Sequence, residues 1–288
     1  MPASPSRLRL STIGRPIDPS VPTNRAILLL SLLALIAGFT SWLTRGEALG
    51  IALLGGLQWG GACFLAWALG REVDPDRGTS AFFAAGGALA GAILLGPPSF
   101  LFLLWFLLAL RTINRSNGEP PGVLDFAALY GIKLWLGYSA HWTIPLLTFP
   151  TMFFAGIGRF PRWVRVALPL ALPTAAVILG FTHGWHFEVP TWGIWEIAGL
   201  LAIAASTIPV VFGYRQVRSV GDRTGEPLVP HRVRWAIAWA VAAALVLTLI
   251  GSASIQELAP VWSALAGAFI GWAIGRVRDR GRCSGEPQ

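Results

Sequence analysis

The chain has 288 residues, 54% of them hydrophobic and only 12% charged, with a mean hydropathy of +0.61. Soluble globular domains carry about twice that charged fraction, so the composition excludes an ordinary water-soluble fold. The net charge of +8 and isoelectric point near 10.9 do not indicate nucleic acid either. A nucleic-acid binder gathers its basic residues on one face of a folded domain, whereas here they punctuate apolar runs.

Residues 1–25, rich in Pro, Ser and Arg, read as a disordered cytoplasmic tail without a small-residue cleavage motif. Ten apolar stretches follow, at 26–43, 48–69, 80–96, 99–113, 123–140, 142–158, 163–181, 193–213, 233–251 and 258–275. A membrane-crossing helix needs ~20 residues, with ~17 near the lower limit, so the third to sixth are short. Hydrocarbon leaves no partner for a free amide, which makes each stretch helical. The expected fold is therefore an all-α, polytopic bundle of about ten transmembrane helices with both termini cytoplasmic. A membrane domain at 26–213 is followed by a loop at 214–232, a transmembrane hairpin at 233–275 and a basic tail at 276–288.

Orientation comes from arginine. Threading the stretches alternately puts 20 of the 21 arginines on one side, leaving only Arg45 on the other. Basic residues flanking a span are retained on the cytoplasmic face, so the expected location is the plasma (inner) membrane. Abundant Arg, Ala and Gly beside a single Lys suggests a GC-rich prokaryotic genome. Because 123–158 is basic at both flanks, it must cross twice or dip in and return, with a turn near Ser139–Trp142. Trp42, Trp142, Trp185, Trp192, Trp195 and Trp262 fall near the outer interface, and Trp67, Trp163, Trp235 and Trp272 near the inner one, as anchoring rings do. Gly56-x-x-x-Gly60, Gly87-x-x-x-Gly91 and Gly267-x-x-x-Gly271-x-x-x-Gly275 are small-residue faces suited to close helix contact or to oligomerisation. The second and tenth stretches end alike, as Trp67-Ala-Leu-Gly-Arg71 and Trp272-Ala-Ile-Gly-Arg276, which reads as convergence on a Trp anchor and an Arg stop signal. The expected partners are the bilayer itself and anionic headgroups at the cytoplasmic arginines. No nucleic acid is expected.

Lys133 is the only lysine and lies inside the fifth stretch, where an ammonium is costly and marks a functional site by default. Tyr130 is one turn away, and Glu196 in the eighth stretch is a possible ion-pair partner, making Lys133, Tyr130 and Glu196 the candidate substrate-binding set. The competing explanation is snorkelling of the lysine stem towards the interface. Asp125 is ~12 Å away along the helix and too far round it to pair directly. Pro145, Pro150, Pro169, Pro173 and Pro209 interrupt the following stretches, as in the broken helices with which transporters expose backbone groups to substrate.

Two further clusters carry less. His141, His183, His186 and Glu188 would share the outer side and form a weak zinc candidate, without any recognised protease spacing. Arg71-Glu-Val-Asp74-Pro-Asp76-Arg77 could hold Mg²⁺ on a diphosphate, but no N-D-x-x-D motif accompanies it and a solvated turn explains it more simply. No motif implies a cofactor. The function expected is a secondary transporter or permease for a small or anionic solute. An intramembrane enzyme acting on lipid or isoprenoid substrates and a non-catalytic membrane subunit or assembly factor are the alternatives.

Overall fold

With no polar partner in hydrocarbon, each apolar run must pair its amides along its own length. The structure, a computed structural model, describes residues 11–15, 17–139, 142–154, 162–183 and 191–283. Among these, α1 spans Pro22–Thr44, α2 Leu49–Val73, α3 Gly78–Leu95, α4 Phe100–Asn114 and α5 Val123–Ser139. They are followed by α6 (Thr143–Thr148), α7 (Thr151–Phe154), α8 (Arg162–His183), α9 (Ile194–Gly213), α10 (Pro230–Leu249) and α11 (Ile255–Cys283). The described residues of each of the ten expected stretches lie mainly on helix, and no strand occurs among the described residues. Among the described residues six helices, α1, α2, α3, α9, α10 and α11, are long and apolar enough to cross a membrane. The chain is a multi-pass helical membrane protein. The sixth stretch differs from a single rod: it breaks at Phe149-Pro150 into α6 and α7, because proline has no amide to continue the ladder.

The glycines set the packing. α1 lies against α2, α2 against α3, and α3 against α11, with α4 behind α2. A Cβ on Gly56 would stand 2.7 Å from the Leu35 carbonyl oxygen, and one on Gly60 2.8 Å from that of Ser31. Gly267 is equally tight against the Ser80 carbonyl at 2.6 Å, and Gly87 faces Ser263. All three Gly-x-x-x-Gly faces expected to serve helix contact or oligomerisation are thus occupied by the chain's own helices. Since α11 packs on both α3 and α2, the last two helices close the bundle and do not stand apart from it.

The matched endings of α2 and α11 fold alike. Arg71 stacks on Trp67 and Arg276 on Trp272, with guanidinium-to-ring distances of 5.1 and 5.2 Å. Phe64 and Phe269 add a second ring one turn earlier in each. The tryptophans do not all act as interfacial anchors, however. Trp67 and Trp262 are buried, so those rings pack against neighbouring helices and present little surface to the surroundings.

Four arginine-bearing segments meet at one end of the bundle: residues 11–18, the α2–α3 turn, the α4–α5 loop and the α9–α10 loop. The last two pair through Asp222 N donating to the Ser116 carbonyl and Arg223 N to that of Asn117, both at 3.3 Å. Gly221 and Gly118 permit this approach: a Cβ on Gly221 would lie 2.8 Å from Gly118 Cα.

Candidate functional site

The site is built on α5. Asp125 fixes its first turn by accepting hydrogen bonds from Thr12 N (2.7 Å), Ile13 N (3.1 Å), Gly122 N (2.8 Å) and the hydroxyls of Ser11 and Thr12. A carboxylate so placed satisfies free amides at a helix N-terminus and favours the dipole. From there Phe126, Leu129, Lys133 and Leu136 recur every three or four residues as the buried face. One of the four is a lysine.

Lys133 is fully buried, 0% exposed, so its stem does not carry the head group to an interface. Its Nζ sits 3.4 Å from the centroid of the Tyr130 ring, a cation–π contact formed with the residue one turn earlier. Among the described residues neither Lys133 Nζ nor the Tyr130 hydroxyl has a hydrogen-bond partner. One turn further on, a Cβ at Gly137 would stand 2.9 Å from the Pro145 ring, so the missing side chain lets α6 press against α5.

The break between α6 and α7, and the end of α7 at Phe154, free backbone carbonyls that would be costly in a dry interior. Side chains from α10, with one from the loop after α4, satisfy them. Trp239 Nε1 donates to the Leu147 carbonyl at 2.7 Å, and the Phe154 carbonyl accepts from Arg115 (3.1 Å) and Arg232 (3.0 Å). Trp105 Nε1 donates to the Thr148 hydroxyl at 2.9 Å. Trp105, Phe106 and Trp239 pack edge-on or tilted, with centroids 4.9–5.5 Å apart. The interrupted segment is thereby held in place by named donors beside the helix that carries Lys133.

The acidic α2–α3 turn is not the solvated turn that its composition suggests. Glu72, 1% exposed, accepts from Arg15 (3.3 Å), Arg111 (3.2 Å), Asn114 (3.2 Å) and Ser116 (3.0 Å). Arg15 continues to Asp222. Burial works against the Arg15 guanidinium, but Glu72 and Asp222 outweigh it and hold its pKa above the ordinary value. Asp74 accepts from Arg77 at 3.1 Å and from the hydroxyls of Ser80 and Tyr214. Burial still pushes the Asp74 carboxyl up, and burial together with Asp74 pushes the Tyr214 phenol well above its usual range. Asp76 is capped by Arg218 N and Ser219 N at 3.1 and 2.8 Å. Their arrangement fastens loops together, and its carboxylates are already engaged.

Of the expected set, Lys133 and Tyr130 come together and Glu196 does not. Glu196 is exposed and accepts a hydrogen bond from the Gly193 amide at 3.0 Å at the start of its own helix, a local partner that competes with any distant one. His141, His186 and Glu188 lie outside the described residues, as does the side chain of His183. Among the described residues no three His, Cys, Asp or Glu side chains group as a metal site. The residues that sequence reasoning missed are Trp105, Trp239 and Arg232. Their only signal was a polar ring atom or a charge on an otherwise apolar helix opposite a proline-broken one. The chain matches no family model, no curated protein and no solved structure.

Proposed function

We propose that the protein is a permease for a small anionic solute in a prokaryotic plasma (inner) membrane. In this reading the chain crosses ten times, with α6 and α7 forming one interrupted crossing and both termini in the cytoplasm. The observation that carries the reading is Lys133: a fully buried amine, without a hydrogen-bond partner among the described residues, one helix away from a broken segment. Its ammonium would pair with the solute's carboxylate or oxyanion, with Tyr130 backing it from the opposite side. Helix interruptions near the midplane are where transporters bind solute, and intramembrane ionisable groups mark the pathway. The intramembrane-enzyme alternative has less behind it, because Asp74 and Asp76 are spent on Tyr214, Ser80 and the α9–α10 loop.

The test uses the full chain in proteoliposomes with acetate, succinate, phosphate and sulfate as probes. Wild type is expected to take up at least one of them and to melt higher in its presence. Lys133→Met should lose about tenfold or more of that flux, the worth of one charge-assisted hydrogen bond, while Lys133→Arg keeps part of it. Equal flux in wild type and Lys133→Met overturns the role of Lys133. Absence of both flux and thermal shift with every probe overturns the permease reading.

A further inference from the structure

Most polar side chains on the outward faces of these helices look after themselves. The exposed hydroxyls of Thr40, Thr174 and Thr182 each donate to a carbonyl of their own helix at 2.8–3.0 Å. Gln58 is the exception. It is exposed on α2 and has no hydrogen-bond partner among the described residues. It lies nine residues from the start of α2 and thirteen before Arg71, about 14 Å and about 20 Å along the axis. That is near the middle of a hydrocarbon core about 30 Å thick. Neither water nor an acyl chain supplies a hydrogen bond at that depth.

Beside Gln58 runs a groove of about 490 Å³, lined by Ser31 and Leu35 of α1, Leu54 and Gly61 of α2, and Phe100 of α4. Its floor is low because Gly61 carries no side chain. Leu54 and Leu57 stand out of the same face, 62% and 50% exposed. Knob, hole and unsatisfied carboxamide therefore share one surface. An isologous two-fold contact requires a patch that is its own complement, and these three features together supply one. A carboxamide is also self-complementary, offering a donor and an acceptor.

We propose that this face of α2 is a homodimer interface, in which Gln58 of one protomer exchanges two hydrogen bonds with Gln58 of its partner and leucines of each fill the groove of the other. A lipid acyl chain would fill the groove but leave the carboxamide unpaired. The Gly-x-x-x-Gly faces take no part, being occupied within the chain.

The test is energy transfer between labelled copies of the full chain in liposomes diluted stepwise in lipid. Wild type is expected to associate, and Gln58→Leu to weaken association about three- to twentyfold, the range for an interhelical polar contact in membranes. Gln58→Asn should keep part of it. Gln58→Cys, in a chain carrying Cys63→Ala and Cys283→Ser, should cross-link under copper-phenanthroline while Thr40→Cys does not. Since Gln58 faces outward, the melting temperature of Gln58→Leu in detergent should match wild type, which separates lost association from misfolding. A wild type that stays monomeric at every lipid ratio overturns the proposal. So does equal association of Gln58→Leu, or a bound lipid retained by wild-type monomers and lost from Gln58→Leu.

Discussion

Replacing Glu72 with Gln tests whether the arginine-rich end is a structural core or a hydrated surface. Gln keeps the shape of Glu72 but removes the charge facing Arg15 and Arg111, whose side chains are only 14% and 16% exposed. Glutamine would also turn an amide towards groups that only donate. Removing one partner of a buried ion pair costs about 3–5 kcal/mol, mostly through the charge left behind. Asp222 still faces Arg15, and the residual exposure of both arginines admits some water, so the lower half of that range is expected. For a chain of this size each kcal/mol moves the melting temperature by about 2–4 °C, giving a drop of about 6–16 °C. Tryptophan fluorescence during heating in detergent measures it. Combining Glu72→Gln with Arg15→Ala should cost less than the sum of the two, with a coupling of about 0.5–3 kcal/mol. A melting temperature within about 2 °C of wild type, or strict additivity, would show that Glu72 is effectively solvated and refute the reasoning.

Trp239→Phe strands the Leu147 carbonyl at the α6–α7 break and should cost about 1–3 kcal/mol, whereas Trp235→Phe at an exposed position should cost little; parallel melting curves distinguish them. Gly267→Ala drives a methyl to 2.6 Å from the Ser80 carbonyl and should destabilise by about 1–3 kcal/mol, while Gly86→Ala, with nothing within 4 Å, should be neutral or gain up to about 1 kcal/mol. Asp125→Ala should release residues 11–13, read as faster amide hydrogen exchange at Thr12 and Ile13 with protection elsewhere in the chain unchanged. The raised Asp74 carboxyl means that the folded state holds its proton to higher pH than the unfolded state. The associated stability is therefore present below the ordinary carboxyl pKa of about 4 and is lost as pH rises through the folded value. Asp74→Asn should flatten the melting-temperature profile in that window.

Helix placement was legible because the apolar code is a solvent code: a run such as Ile27 to Leu43 has only one way to satisfy its amides in lipid. The grouping of loops was legible for the same reason, since Arg15, Arg77, Arg111 and Arg223 bracket runs that end on one side. What those arginines do there was not legible. Glu72 and Asp74 belong to a turn whose spacing suggests local pairs, yet their partners Arg15, Asn114 and Tyr214 are 57, 42 and 140 residues away in sequence. No local pattern encodes contacts that depend on four loops arriving together. Glu196 failed in the opposite direction: its span position suggested a partner for Lys133, and the nearer Gly193 amide took it. At Lys133 the sequence identified the residue but could not separate snorkelling from burial, because that depends on which face of α5 packs inward. The alternation of Asp125, Leu129 and Lys133 on that face is visible only once the helix has neighbours.

The two halves of the bundle are held by different physics, and this bears on where movement is affordable. α1, α2, α3 and α11 meet through glycines at backbone distance, where association comes from close dispersion contact and a single added methyl is enough to part the helices. Such surfaces have one register and resist sliding. α5 to α8 meet through fewer contacts and a proline-broken segment, which is held by hydrogen bonds from Trp239 and Arg232 of α10 to backbone carbonyls and from Trp105 of α4 to the Thr148 hydroxyl. Those bonds are directional but can be exchanged for others of similar worth, so two arrangements of the broken segment need differ by only a few kcal/mol. If Lys133 binds an anion, the pairing favours whichever arrangement lets the ion reach it, and the glycine-packed half supplies the fixed frame. Locking α6 to α10 should then abolish flux while leaving solute-dependent melting in place, whereas loosening α3 from α11 should lower stability without that separation.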